Sequence, residues 1–477
     1  MKILIGRKRE QDLLARVLAS DEAELVALYG RRRVGKTFLI REYYKRWLAF
    51  EFSGKLDANL KEQLANFSAK LDKSTGSTFA TNPPKTWFEA FERLKIYLNP
   101  LISKKKVVVF FDEFPWIDTP KSNFLSAFDY FWNDWASKKG NLKIVICGST
   151  ASWMIKKIIQ NKGGLHNRVT QKICLMPFSL GETDRFLKNR NIRLDPYQIV
   201  QLYMAFGGIP HYLKEIQRGQ STAQIINELC FNKTGFLANE FDNLYRSLFG
   251  QHLVHVAIVR QLAQKTRGLS RTEIIEQIDL SSGGTISQIL DELQHSGFIS
   301  TYLPFGKNHK DMIYKLSDEY SLFYLRFIEK GKFKGQDVWN QLAALPSYKI
   351  WCGFAFESLC LKHISAIKKA LGIAGIYTET SIWRQKGDAN QQGTQIDLLI
   401  DRKDNCINIC EMKFTEAGFV IDKKYAQDLQ NKVAVFKQIT NTKKTIFVTG
   451  ISTYLFKENE YKNRWIDQEL TITDLFE

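Results

Sequence analysis

The segment GRRRVGKT, residues 30–37, constrains the fold more than any other part of the chain. It matches the pattern GxxxxGK[ST], follows the apolar stretch ELVALYG, and precedes a helical pattern from Phe38 to Trp47. A strand, a glycine-rich turn and a helix form the context in which this motif holds phosphates. Gly30 and Gly35 allow backbone N–H groups to approach phosphate oxygens at the N-terminus of a helix. The motif therefore predicts a nucleotide-binding loop at the edge of a parallel sheet.

The chemistry of this loop is predicted from its residue types. Lys36 is expected to reach the β- and γ-phosphates of ATP, and Thr37 to offer its hydroxyl to Mg²⁺. A second apolar strand, VVVFFDE, ends in Asp112 as a candidate metal ligand and in Glu113 as a candidate general base for water. The remaining residues assigned to nucleotide binding, through the backbone of the loop, are Gly30, Arg31, Arg32, Arg33, Val34 and Gly35. The predicted cofactors are ATP and Mg²⁺.

The length of 477 residues predicts several domains. Three apolar strands alternate with helical patterns before residue 178, which predicts an α/β fold with a parallel sheet. We predict a multidomain α/β protein of four parts. They are a P-loop ATPase core over 1–178, a helical lid over 179–250, a winged helix over 251–335, and a nuclease-like domain over 336–477.

The predicted winged helix depends on a compact pattern between His252 and Asp318, in which three helices precede a β-hairpin. Ser270, with Glu273 three residues later, predicts a capping box at the start of the second helix.

The third of these helices, GTISQILDELQH over 284–295, carries Asp291 and Glu292 but no Lys or Arg. A helix that must approach phosphates is not expected to have this charge. Basic side chains are found instead in the hairpin, at Lys307, His309, Lys310 and Lys315. Two interpretations stay open: the hairpin contacts DNA without sequence preference, or the module is a spacer that contacts protein.

Four stretches within residues 1–320 resemble the archaeal-type AAA+ ATPases, which are related to the STAND signalling ATPases. They are IGRKREQDLL, VVFFDEFPWI, IVICGSTASWM and GGIPHYL, and they occur in the order typical of that group. The resemblance implies that Ser149 is a polar sensor near the γ-phosphate, and that Arg168 is an arginine finger for a neighbouring subunit. It also implies that Arg7 lies near the base or ribose. Self-association through Arg168 would follow.

A candidate site near the C-terminus involves three carboxylates and a lysine. Asp397 and Glu411 lie on two predicted strands joined by a turn at 402–405, so an antiparallel hairpin brings them close together. Lys413 shares the face of Glu411, and Glu357 lies on the preceding helix. Three carboxylates that converge require a cation, because their burial without one would be too costly.

This arrangement resembles the C-terminal PD-(D/E)XK nuclease domain found on such ATPases, over about residues 350–450. The resemblance implies that Glu357, Asp397 and Glu411 hold Mg²⁺ and that Lys413 is catalytic. Tyr425, Gln427 and Gln430 are implied as supporting residues. The alternative is a nuclease fold retained only as a structural or binding domain.

Charge and composition narrow the class of protein. The formal charge is +18, yet residues 350–477 hold 17 Lys and Arg against 16 Asp and Glu. The basic excess in the first 349 residues suggests a DNA-facing surface, or serves solubility alone. The seven scattered cysteines lack a CxxC pair, and we expect neither zinc nor haem. The sequence also lacks an apolar run of roughly 18 residues and an apolar signal region, which predicts a cytoplasmic protein without a membrane segment.

Two functions from different classes follow. The first is an AAA+ ATPase whose nucleotide cycle controls a winged helix and a Mg²⁺-dependent DNA nuclease. The second is a STAND-like ATP switch whose C-terminal domain is a non-catalytic binding or sensor module.

Overall fold

The chain forms two compact units, residues 1–177 and residues 178–477, each described here by itself. The computed structural model describes residues 4–76, 82–160, 165, 167–249, 252–278, 283–331, 337–387 and 393–476. The predicted boundary after residue 178 lies one residue from the division between the units. The three later segments predicted as domains all fall within the second unit, which is not divided further.

The first unit is built on a five-stranded parallel sheet in the order β2-β3-β4-β1-β5. Its strands are β1 Glu24–Tyr29, β2 Leu48–Ser53, β3 Val107–Asp112, β4 Leu142–Gly148 and β5 Gln171–Cys174. All residues of β3 and β4 are buried, which explains why these strands appear in the sequence as continuous apolar runs. The prediction of an α/β unit with a parallel sheet is confirmed.

In the described residues of this unit, seven α-helices accompany the sheet. They are α1 Lys8–Ala19, α2 Lys36–Tyr43, α3 Leu60–Thr75, α4 Trp87–Ile102, α5 Phe114–Ile117, α6 Phe124–Tyr130 and α7 Ala151–Trp153. A core rich in aromatic side chains joins strands β2 and β3 to helices α3, α4 and α6. The helical pattern FLSAFDYFWNDWA in the sequence, residues 124–136, begins as an α-helix at Phe124 and continues as a π-helical turn over Phe131–Trp135.

The second unit begins with helices, as predicted. They are α8 Leu180–Asn189, α9 Pro196–Phe206, α10 Pro210–Leu213, α11 Thr222–Ile226 and α12 Glu240–Leu248. Ser179 and Ser221 each begin a helix with a capping box, in which a side chain three residues later returns the bond.

Three helices and a small sheet follow. The helices are α13 His252–Gln264, α14 Arg271–Ile278 and α15 Gly283–His295, and the strands are β6 Leu269–Ser270, β7 Ile299–Tyr302 and β8 Ile313–Leu316. The sheet is antiparallel in the order β6-β8-β7. The predicted capping box is present, since Ser270 and Glu273 exchange side-chain bonds with each other's backbone N–H groups. The predicted hairpin is also present.

The last part of the second unit contains a five-stranded sheet in the order β13-β12-β11-β10-β9. Its strands are β9 Thr378–Gln385, β10 Thr394–Arg402, β11 Cys406–Lys413, β12 Thr445–Ser452 and β13 Gln468–Thr471. The pairs β9–β10 and β10–β11 are antiparallel, whereas β11–β12 and β12–β13 are parallel. The helices are α16 Glu319–Phe323, α17 Val338–Ala343, α18 Pro346–Lys362, α19 Ile364–Ala370, α20 Lys423–Thr440 and α21 Glu460–Trp465.

The sequence has one helical pattern over residues 351–371, which predicts a single helix, but the structure divides it into two. Helix α18 ends at Lys362, and α19 begins at Ile364 after a bend of 75°. At the bend, the ring of the buried His363 donates from Nδ1 to the Leu359 carbonyl oxygen and accepts at Nε2 from the Leu180 N–H. Periodicity alone does not reveal this bend, because α18 and α19 are both rich in apolar residues.

Among the described residues, no single helix is both long and apolar enough to span a bilayer. The bent pair α18 and α19 together has the length and composition of such a span.

Candidate functional sites

The phosphate loop lies between β1 and α2 in the first unit. Gly30 has a φ of +139°, and a Cβ there would stand 2.4 Å from the carbonyl oxygen of Leu175, so the loop requires glycine at this position. Gly35, with a φ of +92°, precedes the first residue of α2, and a Cβ on it would meet no atom within 4 Å. The Lys36 ammonium donates to the carbonyl oxygens of Gly30 and Arg31, both at 2.9 Å. The loop thus folds around the lysine ammonium.

The other loop residues differ in exposure. Arg31 and Val34 are buried, while Arg32 and Arg33 are half-buried. Arg33 is not glycine and yet has a φ of +72°, which is a costly conformation for a residue with a side chain. The backbone of the loop is therefore held in a specific shape rather than in a relaxed turn.

The strand order explains how the remaining groups meet the loop. Strand β4 lies between β1 and β3, so the carboxyl ends of the three parallel strands form one edge. Thr37 donates from its hydroxyl to Asp112 Oδ2 at 2.8 Å, which joins the start of α2 to the end of β3. Ser149, after β4, donates its hydroxyl to Glu113 Oε2 at 2.7 Å and its N–H to the same oxygen at 3.1 Å. The structure therefore brings four of the predicted site residues together.

The backbone at Glu113 directs its side chain toward Ser149. Glu113 has a φ of +46°, which is uncommon for a residue other than glycine, and its N–H donates to Asp112 Oδ1 at 3.1 Å. Strain of this kind concentrates at functional positions. Two hydrogen bonds to one oxygen orient the Glu113 carboxylate.

Arg7 and Arg168 occupy different environments within the first unit. The buried Arg7 donates to the carbonyl oxygens of Val34, at 3.1 Å, and Met176, at 2.5 Å. It thereby connects the phosphate loop to the segment after β5. Arg168 is exposed, and among the described residues no hydrogen bond joins its side chain to the phosphate loop.

The donor set at this edge fits a nucleotide and Mg²⁺. A hydroxyl and a carboxylate 2.8 Å apart, Thr37 and Asp112, are hard oxygen donors of the kind that Mg²⁺ prefers. The N-terminus of α2 and the positive-φ glycines before it supply N–H groups and positive potential for phosphate oxygens.

The second candidate site lies on β10 and β11 in the second unit. The antiparallel ladder ends with the pair of Leu398 and Cys410, and Asp397 and Glu411 are the residues directly beyond that last pair. Residues opposite each other in such a ladder share a face of the sheet. The ladder between β9 and β10 is irregular between Ile396 and Leu399, so Asp397 lies at a local distortion.

Helix α20 supplies two partners for Glu411. The Tyr425 hydroxyl donates to Glu411 Oε2 at 2.7 Å, and the Lys432 ammonium forms an ion pair with Oε1. Both members of the ion pair are largely buried. Tyr425 was among the supporting residues implied by the resemblance, whereas Lys432 was missed. The available signal was the separation of seven residues between Tyr425 and Lys432, which places both on one face of a helix.

Glu357 and Lys413 are the other two predicted residues of the site on β10 and β11. Burial raises the pKa of Glu357 to about 8, and the nearby negative charges of Asp397 and Glu411 act in the same direction against the positive charges of Lys315 and Lys413. Helix α18, which carries Glu357, packs against β11. The Lys413 ammonium lies over the ring of Tyr425, 4.7 Å from its centre. The predicted carboxylates are thus electrostatic neighbours.

The structure supports fewer metal ligands at this site than the three carboxylates predicted from the sequence. Across the described parts of the chain, no group of three or more His, Cys, Asp or Glu side chains is arranged to hold a metal ion. Two opposed carboxylates still suit Mg²⁺, which is commonly bound by one or two carboxylates together with water and substrate phosphates. Asp397 and Glu411 fit that description, and a metal ion at Glu411 would have to compete with Lys432.

The predicted hairpin is anchored at its base. Pro304 forms a bridge with Ile382 of β9, the Phe305 N–H donates to the Ile382 carbonyl oxygen at 2.8 Å, and the Phe305 ring packs on Phe436 of α20. Beyond this anchor, the three basic hairpin residues that are exposed are Lys307, His309 and Lys310. In α15, Glu292 Oε2 is hydrogen-bonded to Nε2 of the buried His255 at 2.9 Å.

Comparisons with known proteins agree with the geometry of the first unit. Residues 4–216 match the family model of an ATPase domain predominantly from Archaea. An uncharacterized protein of Methanocaldococcus jannaschii, MJECL04, is 23% identical over 440 residues, which cover 90% of this chain and 92% of that protein. The uncharacterized ATP-binding protein MJ0423 of the same organism is 46% identical over 41 residues, 9% of this chain and 70% of its own length.

A solved structure has a similar fold. The Walker-type ATPase paby2304 of Pyrococcus abyssi superposes with a TM-score of 0.50 at 19% sequence identity, covering 68% of this chain and 96% of that chain. The family match, the strand order and the phosphate loop support a P-loop ATPase of the AAA+ class in this part of the chain. Residues 4–216 are similar to the ATPase domain of the archaeal type.

Proposed function

We propose that the first unit binds and hydrolyses ATP with Mg²⁺ at the carboxyl edge of its sheet. The observation that carries this proposal is the paired bonding of Thr37 to Asp112 and of Ser149 to Glu113. These bonds join the start of α2 and the end of β4 to the two acidic residues at the end of β3.

Each of these residues has a proposed role. Lys36 leaves the carbonyl oxygens of the loop and binds the β- and γ-phosphates. Thr37 and Asp112 would hold Mg²⁺, which would supply positive charge beside the phosphate oxygens. Glu113 orients the attacking water and accepts its proton, and Ser149 fixes the direction of the Glu113 carboxylate.

Two arginines have supporting roles in the proposal. The bonds of Arg7 to Val34 and Met176 support a role in positioning the phosphate loop and the segment after β5, with Arg7 itself near the base or ribose. The exposure of Arg168 supports its use as an arginine finger by a neighbouring subunit, where it would stabilise charge on the transferred phosphoryl group.

Nucleotide binding is tested with Lys36→Ala. We expect the affinity for ATP, measured by calorimetry with Mg²⁺ present, to be lost in this variant. The exposed Lys61 of α3 offers a matched control, because Lys61→Ala removes the same charge outside the loop. Tight binding by Lys36→Ala would contradict the assigned loop.

We further propose that the site on β10 and β11 is a Mg²⁺-dependent DNA nuclease centre. The position of Asp397 and Glu411 directly beyond the last ladder pair of β10 and β11, and the proximity of Glu357 to Asp397, Glu411 and Lys413, support this assignment. Asp397 and Glu411 would hold the metal ion, which would supply a bound water of lowered pKa. Lys413 would stabilise charge on the attacked phosphate, and Glu357 is a third carboxylate near these residues.

The arrangement of α13–α15 and β6–β8 supports a winged helix that contacts DNA through its hairpin. Lys307, His309 and Lys310 are exposed on this hairpin and suit phosphate contacts. The acidic third helix, with Asp291 and Glu292, is not the DNA-reading element in this proposal.

Nuclease activity is tested by incubating the full chain with labelled DNA, Mg²⁺ and ATP. Wild type should cleave the DNA and Lys413→Ala should not, whereas Lys437→Ala, an exposed lysine on α20, should behave as wild type. Equal residual cleavage by wild type and Lys413→Ala would remove the catalytic assignment.

One observation favours a second candidate function. The ion pair between Lys432 and Glu411 already neutralises the carboxylate that the nuclease needs. A STAND-like ATP switch, in which the last sheet serves as a binding or sensor module without cutting, is therefore the alternative. Steady-state ATP turnover separates the two, because a switch holds ATP with little turnover whether or not DNA is present.

A further inference from the structure

A cleft in the second unit is not explained by either of the sites above. It has a volume of about 360 Å³ and lies among the end of α13, strands β7 and β8, the segment 322–330 and helix α18. This volume is within the range of pockets that bind organic ligands, roughly 300–1,000 Å³.

The charge of the cleft is strongly positive. Five basic and two acidic side chains line it. Of the basic side chains, only Arg260 forms an ion pair within the described part of the chain, with Glu329. The four others are Lys265, Lys315, Arg326 and Lys330. Four unpaired cations that face one cavity are complementary to a ligand with several negative charges.

The walls of the cleft are also apolar and aromatic. Phe354 and Ile350 of α18 are 42% and 59% exposed, which is unusual for large apolar side chains, and Trp351 lies between them in sequence. The Lys315 ammonium lies over the ring of Tyr302, 5.5 Å from its centre. Aromatic faces beside cations are the combination that binds unpaired bases and the phosphates that connect them.

The position of the cleft relates it to the carboxylates. Glu357 lines the cleft and is one helical turn from Phe354 on α18. The negative charges of Asp397 and Glu411 also act on Glu357 and help to raise its pKa. A strand that occupies the cleft would therefore have a phosphate close to the proposed nuclease centre.

We propose that this cleft binds a single-stranded segment of DNA, with a base against Phe354 and phosphates on Lys265, Arg326 and Lys330. The inference rests on the proposed nuclease function for its biological use, but binding itself is independent of cleavage. A duplex is the wrong ligand, because its bases are stacked on one another and do not offer their faces to the aromatic ring.

The test measures binding of fluorescein-labelled oligo(dT) to the full chain by anisotropy, in EDTA and without ATP, over a range of salt concentrations. The triple variant Lys265→Gln, Arg326→Gln and Lys330→Gln should reduce the slope of log K against log salt by about 2, since each lost phosphate contact removes about 0.7. Phe354→Ala should weaken binding by roughly 5- to 150-fold and leave the slope unchanged.

Matched controls come from α20. Lys437→Gln removes an exposed charge, and Ile439→Ala removes an exposed apolar side chain that is 45% accessible, both outside the cleft. Neither control should change the affinity or the slope. Thermal melting of every variant identifies any loss of binding that is caused by unfolding.

The outcomes are distinct. Cleft variants that bind oligo(dT) as wild type does would overturn the proposal, as would equally tight binding of AMP alone, which would indicate a small-nucleotide pocket. A cleft that binds DNA in a protein that never cuts it would leave this inference standing and remove the nuclease. If both cleft variants showed metal-dependent cleavage with an unchanged KM, the nuclease function would stand and the proposed binding of single-stranded DNA in the cleft would fall.

Discussion

The substitution Lys432→Met tests whether Glu411 is a metal ligand or only one member of a buried ion pair. The change leaves the largely buried Glu411 carboxylate with Tyr425 as its remaining described side-chain partner. Removal of one member of a buried pair costs about 3 kcal/mol at the lower end of measured values, and the partial exposure of Lys432 argues for that end. For the 300 residues of the second unit, this corresponds to a fall in Tm of about 5 °C.

A divalent cation should repair this loss. If Glu411 is a metal ligand, Mn²⁺ at about 100 times its dissociation constant restores about 2.7 kcal/mol to Lys432→Met. The wild type should gain less, because the metal ion must first displace the Lys432 ammonium. The assay measures the Tm of the second unit by calorimetry, in Mn²⁺ and in EDTA.

Lys444 offers the matched control for this experiment. It forms an ion pair with Asp401 on the same sheet, but both side chains are about one quarter exposed. Lys444→Met should therefore cost no more than about 1 kcal/mol and show no extra response to Mn²⁺. Equal metal-induced shifts in wild type and Lys432→Met would refute the reasoning, since Lys432 would then not be competing for a metal position.

Three further predictions concern other parts of the molecule. Gly30→Ala should abolish ATP binding in a filter assay, because its Cβ would stand 2.4 Å from a backbone oxygen, and unchanged affinity would contradict the observed loop. Ser149→Ala should lower ATP turnover roughly 10- to 100-fold with unchanged affinity, since a charge-assisted bond to Glu113 is lost; wild-type turnover would exclude the orienting role. Burial lowers the pKa of His363 to about 4 from 6.5, so the unfolded chain takes up its proton first. The second unit should therefore lose about 3 kcal/mol between pH 6.5 and pH 4, and His363→Gln should flatten the dependence of its urea midpoint on pH; an equal loss in the variant would assign the acid sensitivity elsewhere.

The phosphate site was predictable because its information is local. A strand, a loop of eight residues and a helix determine the positions of Gly30, Lys36 and Thr37, and a parallel sheet brings strand ends to one edge. Predicting the bond between Ser149 and Glu113 requires the strand order, which the sequence does not give directly. The bonding of Arg7 to Val34 was not predicted, because it depends on a left-handed backbone before α1.

The candidate nuclease site was predicted only in part. Alternation along β10 and β11 and a short turn were sufficient to oppose Asp397 and Glu411. Lys432 was missed because its contact depends on the rotation of α20 against the sheet, which no local pattern specifies. The bend at His363 was missed for a similar reason, since its ring bonds to Leu180, 183 residues away.

The most direct measurement of the central claim is steady-state ATP turnover by wild type and by Glu113→Gln, together with ATP affinity for each. The substitution keeps the size of the side chain and its bonds to Ser149 while removing the base that accepts a proton from water. The account predicts unchanged ATP affinity and a turnover reduced at least about 100-fold, the usual range for loss of a general base. Equal turnover in the two proteins would contradict the assignment of Glu113, and with it the proposed ATP hydrolysis at this edge of the sheet.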